Sequence, residues 1–303
     1  MTSFTGRVAV VTGGTRGIGR AVAARFEAAG ATVITLARTE PRQAVGRFLA
    51  ADLGSRASVQ DAFQTIAGEF GRVDILVNNA GGARPGAALD YSEAAARAAF
   101  DLNVLGVLYA AQCMHPLTPE HGGAAIVNIG SVAGTRPSPG TAVYGAAKAA
   151  LASLTKSLAL EWAPRIRVNC VLPGPVLTES LTAYYGGPEA AALVGQALPM
   201  GRMAEPADIA NACLFLASDE AAQVSGAELL VHGGGEVPRF NRVPAGVAVE
   251  QAAERDAERD AERDAERDAE RDAERDAERD ATGRDAAGAK AADRPASAPG
   301  SEK

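Results

Sequence analysis

Seven short runs rich in β-branched and aliphatic residues, spread over residues 7–235, constrain this 303-residue chain more than any other feature. They are RVAVVT (7–12), ATVITLA (31–37), RFLAAD (47–52), VDILVNN (73–79), AAIVNIG (124–130), RIRVNCVLP (165–173) and AELLVHG (227–233). Alanine-rich stretches with helical periodicity lie between them, such as residues 18–30, where the closing Gly30 suits a C-terminal cap. Strand-to-helix alternation with near-continuous apolar strands implies a parallel sheet covered on both faces. The expected fold is therefore a single α/β domain built on a doubly wound parallel sheet.

Composition narrows the function classes. A hydrophobic content of 47% is enough for a large core. The formal charge of -7 resides in seven consecutive AERD units from Ala253 to Asp280, and the remainder balances at 23 basic and 23 acidic residues. A neutral body lacks the basic face that nucleic-acid binding requires. Cys113, Cys170 and Cys213 are far apart, which points to reduced core thiols and not to a disulfide framework or a zinc site. The three histidines show no metal-ligand spacing, and His115, beside Pro116, reads as a helix-end residue. The first strand begins by residue 7, leaving no room for a signal peptide, and no run of 18 apolar residues predicts a membrane span. A cytoplasmic protein is expected.

After residue 236 the pattern changes. Residues 237–252 read as a linker or docking segment, and 253–303 as charged repeats with a disordered Ala, Gly, Pro and Ser-rich end. Residues 1–236 are then the catalytic and dinucleotide-binding domain.

The first strand runs into TGGTRGIG at residues 12–19, putting Gly13, Gly17 and Gly19 at a strand-to-helix turn. Glycine permits a tight turn and close approach of the backbone to a pyrophosphate, which then meets the free N–H groups of the helix N-terminus. The pattern is that of a Rossmann-type dinucleotide site. At the end of the second strand, NAD binding usually places an acid against the ribose 2′-hydroxyl. Here Ala37 and Arg38 stand there, and Arg16 lies in the glycine loop. Two guanidinium groups without a carboxylate suit a 2′-phosphate, so NADP(H) is expected over NAD(H); the alternative is two solvated arginines.

Over residues 5–235 these motifs, in order and spacing, resemble the short-chain dehydrogenase/reductase family. TGGTRGIG resembles its cofactor motif, with Ile18 in the loop, and Asp52-Leu53 its adenine-side contact. NNAG at 78–81 resembles its central-strand motif, contributing Asn79, Ala80 and Gly81. Pro173, Gly174, Val176 and Thr178 resemble its nicotinamide-side loop. Tyr144 and Lys148 form its YxxxK pair thirteen residues after Ser131, and Asn103 matches the helix asparagine that holds a relay water. There are departures. Gly130 stands where a second serine is common, His232 stands where an acid is common, and the segment joining strands two and three is short.

The resemblance implies hydride transfer between nicotinamide and a ketone or secondary alcohol. Tyr144 would act as acid or base, Ser131 would bind the substrate oxygen, and Lys148 would grip the ribose. Tyr144 and Lys148 are four apart, hence on one helical face. A free phenol titrates about three units too high for neutral acid–base work, roughly 4 kcal/mol. A unit charge ~4 Å away at an effective dielectric of ~20 supplies about 4 kcal/mol. The family also implies a homo-oligomer, tetramer or dimer, and a mobile lid over 177–202 with Leu177, Leu181, Tyr184, Tyr185 and Leu193 as an apolar wall. Similarity to 3-oxoacyl-thioester reductases suggests that substrate class. The alternatives are an NAD-dependent alcohol dehydrogenase and a non-catalytic nucleotide-sensing or scaffold protein.

The repeats combine attractive pairs three apart, such as Arg255 with Glu258, with like pairs four apart, such as Glu254 with Glu258. At ~0.2–0.5 kcal/mol per pair repulsion slightly outweighs attraction, and no apolar stripe beyond alanine supports a coiled coil; the alternative to a passive tail is a docking module for a basic partner. Truncation after Glu250 is expected to leave kcat/KM and oligomer size unchanged by steady-state assay and size-exclusion chromatography; loss of either would show that the repeats help build the enzyme.

Overall fold

The computed structural model describes residues 3–120 and 123–235, so the expectations for 237–252 and 253–303 lie outside the described residues. All seven expected strands form: β1 Val8–Thr12, β2 Thr32–Ala37, β3 Arg47–Ala50, β4 Ile75–Asn78, β5 Ala124–Ile129, β6 Ile166–Pro173 and β7 Glu228–Val231. They make one parallel sheet of order β3-β2-β1-β4-β5-β6-β7. The order reverses direction between β1 and β4, the place where a ligand crevice opens beyond the carboxyl ends of such strands.

Alternation along β1 divides the core. Val8 and Val10 face one apolar cluster, Ala9 and Val11 the other. The first layer contains α2 (Arg56–Phe70), α4 (Gly106–Met114) and α5 (Ala142–Glu161), through residues such as Phe63, Met114 and Leu158. The second contains α1 (Gly17–Ala28) and α8 (Pro206–Ala217), through Phe26, Ile209 and Leu216. As expected, Gly30 follows α1 with a positive φ of 91°, and its N–H donates to Glu27 O at 2.9 Å.

Two local features depart from plain strand–helix alternation. The connection from β2 to β3, residues 38–46, contains no helix, whereas parallel crossovers usually carry one. Between α3 (Glu93–Phe100) and α4 the helix widens into a π-helical turn, Asp101–Leu105, which contains Asn103. Such turns occur frequently at functional sites. The helical run Glu93–Leu117 is by length and composition apolar enough to cross a membrane, at a mean hydropathy of 1.2. Within it, Ala110, Ala111 and Met114 are buried in the first apolar cluster and Val107 is buried on the same helix, while 28% of the apolar window as a whole is buried. His115 caps α4 and opens the 3-10 turn that closes the run, its ring edge-on to Trp162 at 5.2 Å.

Ile126 on β5 is fully buried among α-helical neighbours of the first layer. Ile126→Ala removes that packing and is expected to cost ~2–5 kcal/mol, read as a lower midpoint with unchanged slope in urea denaturation.

Candidate active site

The glycine loop joins β1 to α1. Gly13 adopts φ of 64°, and a Cβ there would lie 2.8 Å from Asn79 Nδ2. At Gly19 a Cβ would lie 2.2 Å from Gly13 O, so the helix can approach the loop only without one. Asn79 Nδ2 donates to Thr12 O at 3.0 Å and Gly13 O at 3.1 Å, while Thr12 Oγ1 accepts from the N–H groups of Asn79 and Ala80, both at 3.0 Å. The end of β1 is thereby tied to the end of β4. Arg16, at the cap of α1, makes no side-chain hydrogen bond to the first turn, which leaves the helix terminus open to an anion.

This terminus faces a cavity of about 970 Å³. Gly13, Arg16, Gly17 and Ile18 line it from the glycine loop, Arg38 from the end of β2, and Asp52 and Leu53 from beyond β3. Asn79, Ala80 and Gly81 line it from beyond β4, and Ser131, Tyr144 and Lys148 from β5 and α5. Pro173, Gly174, Val176 and Thr178 complete it on the β6 side. Two expected residues do not reach it. Gly19 is buried in the helix–loop contact. Asn103 is fully buried: its Nδ2 donates to Gly82 O at 3.1 Å and Ala99 O at 2.9 Å, and its Oδ1 accepts from Gly82 N. The side chain thus clamps the loop beyond β4, with both Nδ2 hydrogens spent on main-chain carbonyls.

Ser131 is extended, with φ of -169°, and caps a short 3-10 turn by accepting from Ala133 N at 3.1 Å. Tyr144 enters from the first turn of α5 and hydrogen-bonds Ser131; burial pushes its phenol up, against the lowering effect of that bond. Lys148 is only 4% exposed and donates from Nζ to Ile129 O at 2.7 Å. Burial lowers it to about 8, with the nearby Cys170 opposing the shift. Nζ lies 5.7 Å from the centre of the Tyr144 ring. The expected downward tuning of Tyr144 by the lysine is not what dominates: desolvation does, and it favours the protonated phenol.

Sequence reading missed several participants. Thr39 joins Arg38 in lining the cavity, and its place one residue beyond a candidate phosphate arginine was the available signal. Ser180 accepts from Arg16 Nη1 at 2.9 Å, a contact no local pattern announces. The anchor of Lys148 is a main-chain carbonyl, invisible to residue-type reasoning. Gly130, which stands where a second serine is common in the family, permits close packing: a Cβ there would lie 2.5 Å from Leu172 Cδ2 and 2.8 Å from Cys170 Sγ.

The segment after Val176 is an excursion closed at its base by Leu177 N to Ala204 O at 2.8 Å and Ala204 N to Pro175 O at 3.1 Å. It carries α6 (Glu179–Tyr184) and α7 (Pro188–Gln196). Leu181 and Tyr185 pack into a small cluster with Ala191, Leu198 and Met203, whereas Leu177, Tyr184 and Leu193 stay exposed. The five residues expected to form one apolar wall thus divide between lid packing and free surface. Among the described residues no acidic, histidine and cysteine cluster could hold a metal ion.

A hydride-transfer site of the Rossmann type is the class these elements define, and comparison with known proteins agrees. The chain belongs to the short-chain dehydrogenase/reductase family, whose oxidoreductases act on CH–OH and C=O groups. Residues 13–236 match the family model described as enoyl-(acyl carrier protein) reductase. An uncharacterized oxidoreductase of Mycobacterium tuberculosis is 40% identical, over 78% of this chain and 94% of that protein. The 3-oxoacyl-(acyl-carrier-protein) reductase of Escherichia coli is 39% identical, over 77% of this chain and 98% of its own length. The Pseudomonas aeruginosa RhlG/NADP active-site complex superposes with a TM-score of 0.71 at 32% identity, covering 77% of this chain and 97% of that one.

Lys148 carries its charge below about pH 8 and loses it above. kcat/KM for carbonyl reduction is therefore expected to fall on the alkaline side with a midpoint close to 8, measured in buffers of constant ionic strength. A profile that stays flat through the ordinary lysine range would contradict the assignment of that limb to Lys148.

Proposed function

We propose that this protein is an NADP(H)-dependent oxidoreductase that moves a hydride between the nicotinamide and a ketone or secondary alcohol, with Tyr144 as the acid or base. The observation that carries this is a single cavity lined both by Ser131, Tyr144 and Lys148 and by Arg16 and Arg38. Arg38 stands at the end of β2 and Ser131 beyond β5, three strand spacings apart in the sheet, or about 14 Å at ~4.8 Å each. That separation suits an extended dinucleotide, with pyrophosphate against the open terminus of α1. Arg38 makes no ion pair among the described residues and remains available to a 2′-phosphate.

Bound nicotinamide supplies the hydride in reduction. Tyr144, protonated through burial, gives its proton to the carbonyl oxygen as the carbonyl carbon accepts the hydride, and the product is the alcohol. Oxidation returns the proton to the phenolate oxygen. Ser131 Oγ accepts from Ala133 N, and its single hydrogen, which bonds Tyr144, would turn to the substrate oxygen on binding. Lys148 spends one of three N–H donors on Ile129 O and keeps the others for ribose hydroxyls. Asn103 holds the loop that carries Gly81 and Gly82 against this end of the cavity. Likeness to the E. coli relative favours a 3-oxoacyl thioester as substrate, and the family resemblance a cytoplasmic homo-oligomer.

Tyr144→Phe removes only the hydroxyl; NADPH binding is expected to persist while turnover of a 3-oxo ester falls ~10²–10⁴-fold. Near-normal turnover would defeat the acid–base role. For cofactor choice, each lost charge-assisted contact is worth about 1.5–3 kcal/mol, so Ala37→Asp with Arg38→Leu is expected to swing kcat/KM towards NADH by at least tenfold. An unmodified protein that already prefers NADH would refute the reading of the arginines.

A further inference from the structure

The buried thiol of Cys170 has no part in the chemistry above, yet it lies directly beneath the segment that carries it. Cys170 is fully buried on β6, with Asn128 as its register partner on β5; the next pair is Ile129 with Val171. Gly130 N donates to Val171 O at 2.8 Å, so the exit of β5 is pinned down onto β6. Cys170 and Leu172, two apart on one strand, project to the same face. Their side chains fill the place a Cβ of Gly130 would take, at 2.8 Å for Sγ and 2.5 Å for Leu172 Cδ2. Leu172 is itself only 2% exposed and has little room to withdraw.

Three consecutive residues resting on this floor serve the site in different ways. Ile129 offers the carbonyl that fixes Lys148 Nζ at 2.7 Å. Gly130 makes the close contact. Ser131 presents the hydroxyl that bonds Tyr144. Any change in the height of Gly130 therefore shifts the lysine anchor and the serine together. From this juxtaposition we propose that Cys170 is a positioning residue, size-matched to Gly130, which sets the height of Ile129–Gly130–Ser131 and so the placement of Lys148 and Ser131 relative to Tyr144. The inference rests on the roles proposed for those three side chains.

The surroundings suit a spacer and not a reagent. Burial pushes the Cys170 thiol up to about 11, with Lys148 opposing, Glu228 adding to the rise, and the Gly130 backbone and Thr155 lowering it through hydrogen bonds. The thiol stays neutral where the enzyme works. The groups that bear on Tyr144 are Ser131 from the exit of β5 and Lys148 one turn along α5.

Adding a methyl at Gly130 and removing the sulfur at Cys170 are opposite displacements, so the pair can be tested by rescue. Gly130→Ala, Cys170→Ala and the double variant would be made in the full chain, with ethyl acetoacetate and NADPH as probe. Turnover is expected to fall about 10- to 100-fold in Gly130→Ala and to recover part of that loss in the double variant, where the room left by the sulfur lets Leu172 Cδ2 draw back. Cys170→Ser, which keeps the bulk, should retain activity better than Cys170→Ala. A substrate-free readout accompanies these: the ultraviolet phenolate titration of Tyr144, taken as a difference from the matching Tyr144→Phe background. Loss of the Ser131 hydrogen bond raises the midpoint, so Gly130→Ala moves it up and the double variant brings it back.

If Gly130→Ala is too unstable to purify, the comparison of Cys170→Ala with Cys170→Ser decides by the same two readouts. Positioning is overturned if neither midpoint nor turnover moves in the singles, or if the double variant is no better than Gly130→Ala. A midpoint that shifts and recovers while turnover does not follow would support the positioning and sink the acid–base role of Tyr144 instead.

Discussion

The tie between the ends of β1 and β4 is the interaction on which the site depends. One amide, Asn79 Nδ2, serves two carbonyls of the glycine loop, and one hydroxyl, Thr12 Oγ1, receives two N–H groups from the loop beyond β4. Thr12 is 1% exposed, so these bonds form where leaving a polar group unpaired would cost ~1–3 kcal/mol. The tie crosses the place where the strand order reverses, and it holds the two loops that flank the crevice at fixed separation. Without it, the open terminus of α1 and the approach to Lys148 would vary independently.

Much of this was legible in the chain. The seven strands follow from near-continuous apolar runs, because a parallel sheet covered on both faces leaves no polar alternation. Gly13 and Gly19 are legible for the same kind of reason: one needs a positive φ and the other leaves no space for a Cβ. Asn103 shows the limit. Its identity and position match a family pattern, but the path of its amide is set by the π-helical turn, and a one-residue change in helical winding has no signature in residue type. Gly130 shows another limit. A glycine between Ile129 and Ser131 reads as slack in isolation and as close packing only when the cysteine and leucine of a strand forty residues away are beside it.

The balance at Tyr144 has the same origin. Sequence spacing placed the lysine one helical turn away, which is correct, and Coulomb's law then gave it enough strength to acidify the phenol. The structure adds the opposing quantity that spacing cannot contain, the loss of water around a half-buried side chain at the inner end of the cavity. Burial raises the tyrosine and lowers the lysine, moving the two groups apart in acidity and keeping the proton on the phenol.

The helix-free connection between β2 and β3 has a consequence for how the distant end of the crevice responds to its medium. Arg38 and Thr39 are exposed there, on an edge that no helical layer shelters. A charge held at that edge interacts through water and its ions, with a screening length of ~8 Å at physiological ionic strength. The buried end, around Lys148, is shielded from the same ions by the protein itself. One cavity therefore joins a salt-sensitive grip on one half of its ligand to a salt-insensitive grip on the other, and the ionic composition of its surroundings can change how firmly a nucleotide is retained while leaving the geometry of proton transfer as it was.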